Sequence, residues 1–130
     1  MTAIAFATCL ELPELQPDDA PIAAALEQRG VAVAAAPWNG PFAPFERCDL
    51  VAVRSTWDYA EAPARFLAWL QQLEEAGIRT TNTPSLMRWN ADKSYLLDLA
   101  ARGAPLPPTQ RVAPVAGAIA AAMDELALEE

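Results

Sequence analysis

The chain has 130 residues, 53% of them hydrophobic, and its nine basic and seventeen acidic side chains give a formal net charge of -8. This length suits one domain with its own core, with at most a small appendage. The negative charge disfavours a nucleic acid or an anionic membrane as partner, and no stretch approaches the ~20 apolar residues that span a bilayer.

The chain contains no histidine, which excludes Ser/His and Cys/His nucleophile pairs and histidine metal sites. Cys9 and Cys48 lie far apart, near predicted strand ends, and are interpreted as buried thiols rather than a disulfide. Because the N-terminus lacks the pattern of a secretory signal, we expect a cytoplasmic protein. Any chemistry must use carboxylates, hydroxyls, arginines and the single lysine, Lys93.

The first part of the chain alternates predicted strands and a helix. Residues 3–9 and 31–36 are short apolar runs, which are typical of buried strands. Between them, Asp18 or Asp19 is placed to cap a helix that carries Pro21 in its first turn.

Residues 50–59, LVAVRSTWDY, combine a buried strand with a polar loop. The uninterrupted apolar run at 50–53 predicts a central strand that is covered on both faces. In open parallel sheets, ligands bind beyond the carboxyl ends of the strands, so the loop is a candidate wall of a site. Its candidate binding residues are Arg54, Ser55, Thr56 and Asp58. Alternatively, Arg54 and Asp58 pair with each other and only brace the loop.

The next segment predicts a helix, a short strand and two further helical stretches. Pro63 can open a helix whose apolar residues recur at helical spacing and which ends at Gly77. Residues 78–81 predict a strand, 84–89 a short helical turn and 91–102 a helix with Asn90 as its cap. This order predicts an α/β fold, a three-layer Rossmann-like domain with a mainly parallel sheet of about four strands.

The last part of the chain predicts a helical C-terminal extension. A proline-stiffened connector leads to a possible short strand at 110–112 and then to an alanine-rich helix at 116–128. Its apolar side bears Ile119, Met123 and Leu126, which suggests a possible homo-oligomer.

No dinucleotide-binding glycine motif or P-loop is present. Lys93 lies in the first turn of a predicted helix, where a cation is disfavoured by about 0.3–1 kcal/mol unless an anion is near. Asp92 could be that anion. The local pattern leaves both a phosphate contact and a solvent-exposed lysine open.

Three segments, VRSTWDY, FLAWLQQLEEAG and TNTPSLMRWNADKSYLLDLAARGAPLPPT, together resemble the opening of an ATP-grasp ligase. The resemblance covers roughly residues 48–112. It is closest to the cyclo-ligase group of cycloserine biosynthesis and more distant to glutathione synthetase and D-alanine ligase. It implies a pre-ATP-grasp domain at 1–88 and a truncated beginning of the ATP-grasp domain at 89–130.

The resemblance also implies roles for the candidate residues. Arg54 would bind a substrate carboxylate or an acyl phosphate, Ser55, Thr56 and Asp58 would orient it, and Lys93 would contact ATP phosphate. The substrate would be a small carboxylate or amino-acid-like molecule, and ATP and Mg²⁺ would serve the parent protein. Because the family's magnesium ligands lie beyond residue 130, this chain would have no complete catalytic set and would bind neither cofactor stably.

Two other functions remain open at this point. The chain could be a non-catalytic Rossmann-like module that binds a small anion. It could also be a regulatory or interaction fragment that docks through its C-terminal helix.

Overall fold

The computed structural model describes residues 2–126, and the chain divides into two compact units, Met1–Ala91 and Asp92–Glu130. The first unit contains, in order, β1 (Ala3–Thr8), α1 (Ala20–Glu27), β2 (Ala32–Pro37), α2 (Ala43–Glu46), β3 (Leu50–Val53), a 3₁₀ helix (Trp57–Ala60), α3 (Pro63–Glu75) and α4 (Pro84–Ala91). The second unit contains α5 (Tyr95–Ala101) and α6 (Ala118–Glu125).

The predicted α/β class and parallel sheet are confirmed. The strand order is β2-β1-β3, and β1 pairs in parallel with both neighbours, with Ala5 opposite Ala34 on one side and Val51 on the other. The middle strand is therefore β1, and the prediction that residues 50–53 form the central strand was wrong.

The sheet has three strands instead of the expected four. The segment predicted as the fourth strand meets β3 at a single parallel bridge between Val51 and Thr80. Pairing stops there because the Thr80 hydroxyl turns back to the carbonyl of Asn82 at 2.6 Å and α4 begins at Pro84.

Alternation along the strands gives the sheet two covered faces. Ala5, Ala7 and Val51 belong to one buried cluster with Trp69 and other apolar residues of α3. Trp69 is therefore a core residue. The opposite face meets α1, whose Ala23 is buried.

The break between α4 and α5 differs from the predicted helix at 91–102. Asn90 is no cap, because it lies inside α4. The chain leaves the helix at Asp92, whose carboxylate Oδ1 accepts the backbone N–H of Ser94 at 2.8 Å. Such a local side-chain bond offers the backbone an alternative to helical pairing, so α5 begins only at Tyr95.

The C-terminal predictions are confirmed in part. Residues 110–112 form no strand. The prolines at 105, 107 and 108, just before this segment, have no backbone N–H to donate to a neighbouring strand. The helix predicted at 116–128 is α6, which begins after Gly117 in a left-handed conformation, φ 79°. Residues 127–130 lie outside the described part of the chain.

Both cysteines are free thiols; Cys9 is buried as expected, whereas Cys48 is only half-buried. Within residues 2–126, no helix has the length and apolar character to cross a membrane. The cytoplasmic location stays a prediction.

Candidate functional site

Arg54 follows β3 directly and is held by a buried carboxylate. Its Nε donates to Oδ1 of Asp19 at 2.7 Å, and the Asp19 side chain is only 2% exposed. The Arg54 side chain is 42% exposed, and its terminal nitrogens make no hydrogen bond with the described residues. Since a guanidinium presents several donors in one plane, the open terminal edge can still accept an anion.

Ser55 is buried and turns toward the same carboxylate. Its hydroxyl donates to Oδ2 of Asp19 at 2.9 Å. The loop is held close to the sheet because the backbone N–H of Ser55 also donates to the carbonyl of Ala7 in β1 at 3.0 Å.

A cavity of about 320 Å³ lies beside Arg54 on the sheet face that α1 partly covers, and we call it the α1-side cavity. Its floor is apolar, and polar groups come from Arg54, Thr81 and Asn82. Its apolar walls are formed by Ile4, Phe6, Ile22, Leu26, Leu50, Ala52 and Val53.

Thr56 faces a different cavity, on the sheet face that α3 and α4 cover. This α3-side cavity has a volume of about 170 Å³. Thr56, Asn82 and Asn90 contribute its amide and hydroxyl groups, and Tyr59 and Phe66 its aromatic walls. Both cavities share Val53 and Asn82, so they flank the carboxyl end of β3 from opposite faces.

Asp58 connects the loops that follow the three strands. Its Oδ1 accepts the buried indole N–H of Trp38 at 2.6 Å, and its Oδ2 accepts the side-chain amide of Asn39 at 2.6 Å. The side-chain oxygen Oδ1 of Asn39 in turn accepts the backbone N–H of Leu10 at 2.8 Å. Asp58 therefore braces the carboxyl edge of the sheet through Trp38 and Asn39, and the alternative in which it pairs with Arg54 was wrong.

The four predicted loop residues do not converge on one cavity. Arg54 lines the α1-side cavity, Thr56 lines the α3-side cavity, and Ser55 and Asp58 are bonded to other side chains. Trp57, between Thr56 and Asp58, is 65% exposed at the same edge. Substrate binding by the four residues stays a prediction, and Arg54 has the most freely available hydrogen-bond donors.

Lys93 belongs to the second unit and lies in the turn before α5 rather than in a first helical turn. A cavity of about 200 Å³ brings Lys93 together with Asp92, Thr109, Gln110 and Arg111. The Ser94 backbone and hydroxyl hydrogen bonds are the main cause that lowers the pKa of Asp92 from its ordinary value, with Arg111 adding to the shift. The predicted contact between Lys93 and ATP phosphate stays a prediction.

No group of three acidic or cysteine side chains within residues 2–126 is placed to hold a metal ion. The use of Mg²⁺ by the parent protein stays a prediction.

The sequence interpretation missed Asp19 as a partner of Arg54, because it assigned Asp18 or Asp19 to helix capping. Asp19 does occupy the N-cap position of α1, but its side chain makes no capping bond. A topological signal was present, since loops that follow neighbouring parallel strands meet at one edge of the sheet.

Residues 4–82 match the family model described as D-cycloserine synthetase DcsG, N-terminal domain. The cycloserine biosynthesis protein DcsG of Streptomyces lavendulae is 38% identical over 110 residues, a stretch that covers 85% of this chain and 36% of that protein. The crystal structure of D-cycloserine synthetase DcsG superposes with a TM-score of 0.73 and 34% identity, and the match covers 96% of this chain and 42% of that one. The chain thus spans less than half the length of these relatives.

Proposed function

Because the chain belongs to the family of the N-terminal domain of D-cycloserine synthetase DcsG, we propose that it forms the N-terminal part of an ATP-dependent carboxylate-amine type ligase. The match over residues 4–82 carries this proposal. The motifs RSTWDY and RWNADKSYL support it, since at this separation they resemble the opening of ATP-grasp ligases.

In this function, Arg54 is the main contact of the chain with the substrate. A guanidinium is suited to bidentate capture of a carboxylate or a phosphate, and its open edge lies next to the α1-side cavity. Thr56 offers a hydroxyl on the other face of β3, and Asp58 keeps the loop in place through Trp38 and Asn39.

The proposed reaction transfers the γ-phosphoryl group of ATP to a substrate carboxylate, which gives ADP and an acyl phosphate. An amine then attacks the acyl carbon, the C–O bond to phosphate breaks, and inorganic phosphate leaves with the bonding pair. Lys93 would contact the transferring phosphates, and Mg²⁺ would neutralise their charge when bound by other parts of the protein. Arg54 would hold the carboxylate and then the acyl phosphate.

A non-catalytic module that binds a small anion is the second candidate. It is favoured by the same open edge of Arg54, which serves binding equally well without a reaction.

The proposal is tested with the gene product that contains this chain. We expect it to form ADP only in the presence of a carboxylate substrate and to yield a hydroxamate when hydroxylamine traps the acyl phosphate. Arg54→Ala should abolish trapping, whereas Arg79→Ala, which removes an exposed arginine at the other end of β3, should leave it unchanged. Formation of AMP, or no ATP consumption with any carboxylate, would contradict the ligase.

The 130-residue chain alone should not hydrolyse ATP, because the resemblance to ATP-grasp ligases implies that the magnesium ligands lie beyond the segment that this chain matches. Turnover by the purified chain that persists in an ATPase-free preparation would contradict the assignment to the N-terminal part.

A further inference from the structure

Asp19 divides its two oxygens between two partners. Oδ1 accepts from Arg54 Nε at 2.7 Å, and Oδ2 accepts from the Ser55 hydroxyl at 2.9 Å. A carboxylate paired with arginine frequently accepts two parallel N–H bonds from one guanidinium. Here Ser55 occupies the oxygen that the second bond would need.

This division decides which side of Arg54 remains available. With Nε bonded and Oδ2 taken, the two terminal nitrogens have no hydrogen-bond partner among the described residues. The guanidinium is thus fixed on its inner side by a buried group and open on its outer side toward the α1-side cavity. Because the guanidinium is already fixed, less conformational entropy is lost when a ligand binds.

We propose that Asp19 and Ser55 are positioning residues that hold the terminal edge of Arg54 open for the carboxylate or phosphate of a ligand. This inference rests on the ligand contact assigned to Arg54 in the proposed function. Asp19 acts by accepting the bond from Nε, which fixes the guanidinium. Ser55 acts by occupying Oδ2, so that this oxygen does not accept a second bond from a terminal nitrogen of Arg54. Neither residue needs to touch the ligand.

A purely structural ion pair would behave differently. If the three groups only stabilise the loop, removal of the Ser55 hydroxyl should affect stability and leave anion affinity unchanged. If they position the fork, Ser55→Ala frees Oδ2 to accept a second bond from Arg54, and the anion must then compete with Asp19. The substitution leaves the net charge unchanged, so a change in affinity cannot be ascribed to a change in electrostatic attraction.

The test is an NMR titration of the 130-residue chain with inorganic phosphate, followed through the backbone amides of residues 54–57. We expect Ser55→Ala to weaken phosphate binding by about fivefold to tenfold, the loss expected when a charge-assisted bond to the ligand is weakened to the strength of an ordinary hydrogen bond. Arg54→Lys, which keeps the charge but lacks the fork, should weaken it to a similar extent.

Thr8→Val is the matched control. It removes another buried hydroxyl, which donates to the carbonyl of Pro13 at 3.1 Å and makes no hydrogen bond with Asp19. We expect phosphate affinity within twofold of the parent chain, even where the melting temperature falls as much as in Ser55→Ala. A Ser55→Cys chain, with a weaker donor in nearly the same volume, should recover part of the affinity.

Unchanged phosphate affinity in Ser55→Ala would overturn the inference, as would phosphate shifts that persist in Arg54→Ala. Either result leaves the ligase proposal to the trapping experiment. Conversely, failure of trapping together with Ser55-dependent phosphate binding would refute the ligase and retain the positioning role in a small-anion module.

Discussion

Asp19 is almost completely removed from water, and its two carboxylate oxygens accept hydrogen bonds from Arg54 and Ser55. Removing one partner of a buried ion pair destabilises a protein because the remaining charge is left buried without compensation. The two members of this pair are therefore not equivalent: Arg54 is 42% exposed and can return to water, whereas Asp19 cannot.

We expect Arg54→Ala to lower the free energy of unfolding by about 2 kcal/mol, less than the ~3–5 kcal/mol of a fully buried pair because Arg54 is partly solvated. In an Asp19→Asn background the same substitution should cost less than about 0.5 kcal/mol, since no buried charge is then left alone. Urea unfolding of the four proteins measures both values. Arg79→Ala is the control, and equal costs in both backgrounds would contradict the coupling.

Asp58 is the second residue whose contacts define the edge of the sheet. Asp58→Ala should lower the free energy of unfolding by about 1–3 kcal/mol, because the buried indole N–H of Trp38 loses its acceptor. Glu61→Ala, which removes an exposed carboxylate from the same segment, should change it by less than about 0.5 kcal/mol. Equal thermal shifts in the two variants would show that Asp58 is not a brace.

The residue pattern RSTWDY was sufficient to locate polar groups at the end of β3, but it could not reveal their partners. Arg54 and Asp19 are separated by 35 positions, and Asp58 and Trp38 by 20. Contacts of this kind depend on which strands are neighbours, which no local period reports. The local pattern therefore favours an Arg54 to Asp58 pair, which is wrong because both residues have other partners.

At the scale of elements, local signals predicted α3 well and the α4–α5 region poorly. Pro63 opens α3, and Gly77, with φ 68°, follows its end, so both limits are set by backbone chemistry that a sequence displays. The break at Asp92 depends instead on one side-chain bond to Ser94, which competes with an otherwise helical pattern. The prediction of a fourth strand was wrong for a similar reason. A side-chain bond from Thr80 to the carbonyl of Asn82 forms a turn there, and the segment makes only one bridge with β3.

The bond at Asp92 makes the start of α5 sensitive to acid. Hydrogen bonds from Ser94 lower the pKa of the Asp92 carboxyl, so the folded state releases this proton more readily than the unfolded state. The contribution of ionised Asp92 to the stability of the folded state is complete above the ordinary aspartate pKa of about 3.9. It is lost as the pH falls through the lowered pKa of the folded state.

We therefore expect the amide hydrogen-exchange protection factors of α5 to fall when the pH is lowered from about 5 to about 2, in excess of any global change. Asp92→Asn should remove this excess fall, and Asp98→Asn, an exposed carboxylate within α5, should retain it. A pH profile that is identical in Asp92→Asn and the parent chain would exclude this role of Asp92.

At the scale of the whole molecule, the order of the predicted elements indicated the α/β class, and the apolar side of the last helix predicted self-association. In α6, Ile119 is 69% exposed, and Val115 just before the helix is 64% exposed. Apolar side chains this exposed favour association, whereas a net charge of -8 opposes it.

Sedimentation equilibrium should consequently show concentration-dependent self-association that strengthens with salt, because salt screens the repulsion between copies. Ile119→Lys should weaken it by removing apolar surface from α6. Leu67→Gln, at a less exposed apolar position of α3, is the control and should not. A strictly monomeric chain at high protein concentration and high salt would refute this expectation.

The exposure of Trp57 gives the edge beside Arg54 an optical property. Trp38 and Trp69 are buried in the core, so their indole emission is shielded from dissolved quenchers. Trp57, in the loop that follows β3, is 65% exposed, and Trp89 in α4 is 43% exposed. Acrylamide should quench the emission of Trp57 before that of the less exposed tryptophans. Because an exposed indole emits at longer wavelength, a Trp57→Phe chain should lose the red part of the spectrum. A ligand or protein surface that covers this edge would shift the emission to the blue and protect it from acrylamide, which makes occupancy measurable by fluorescence without an attached dye.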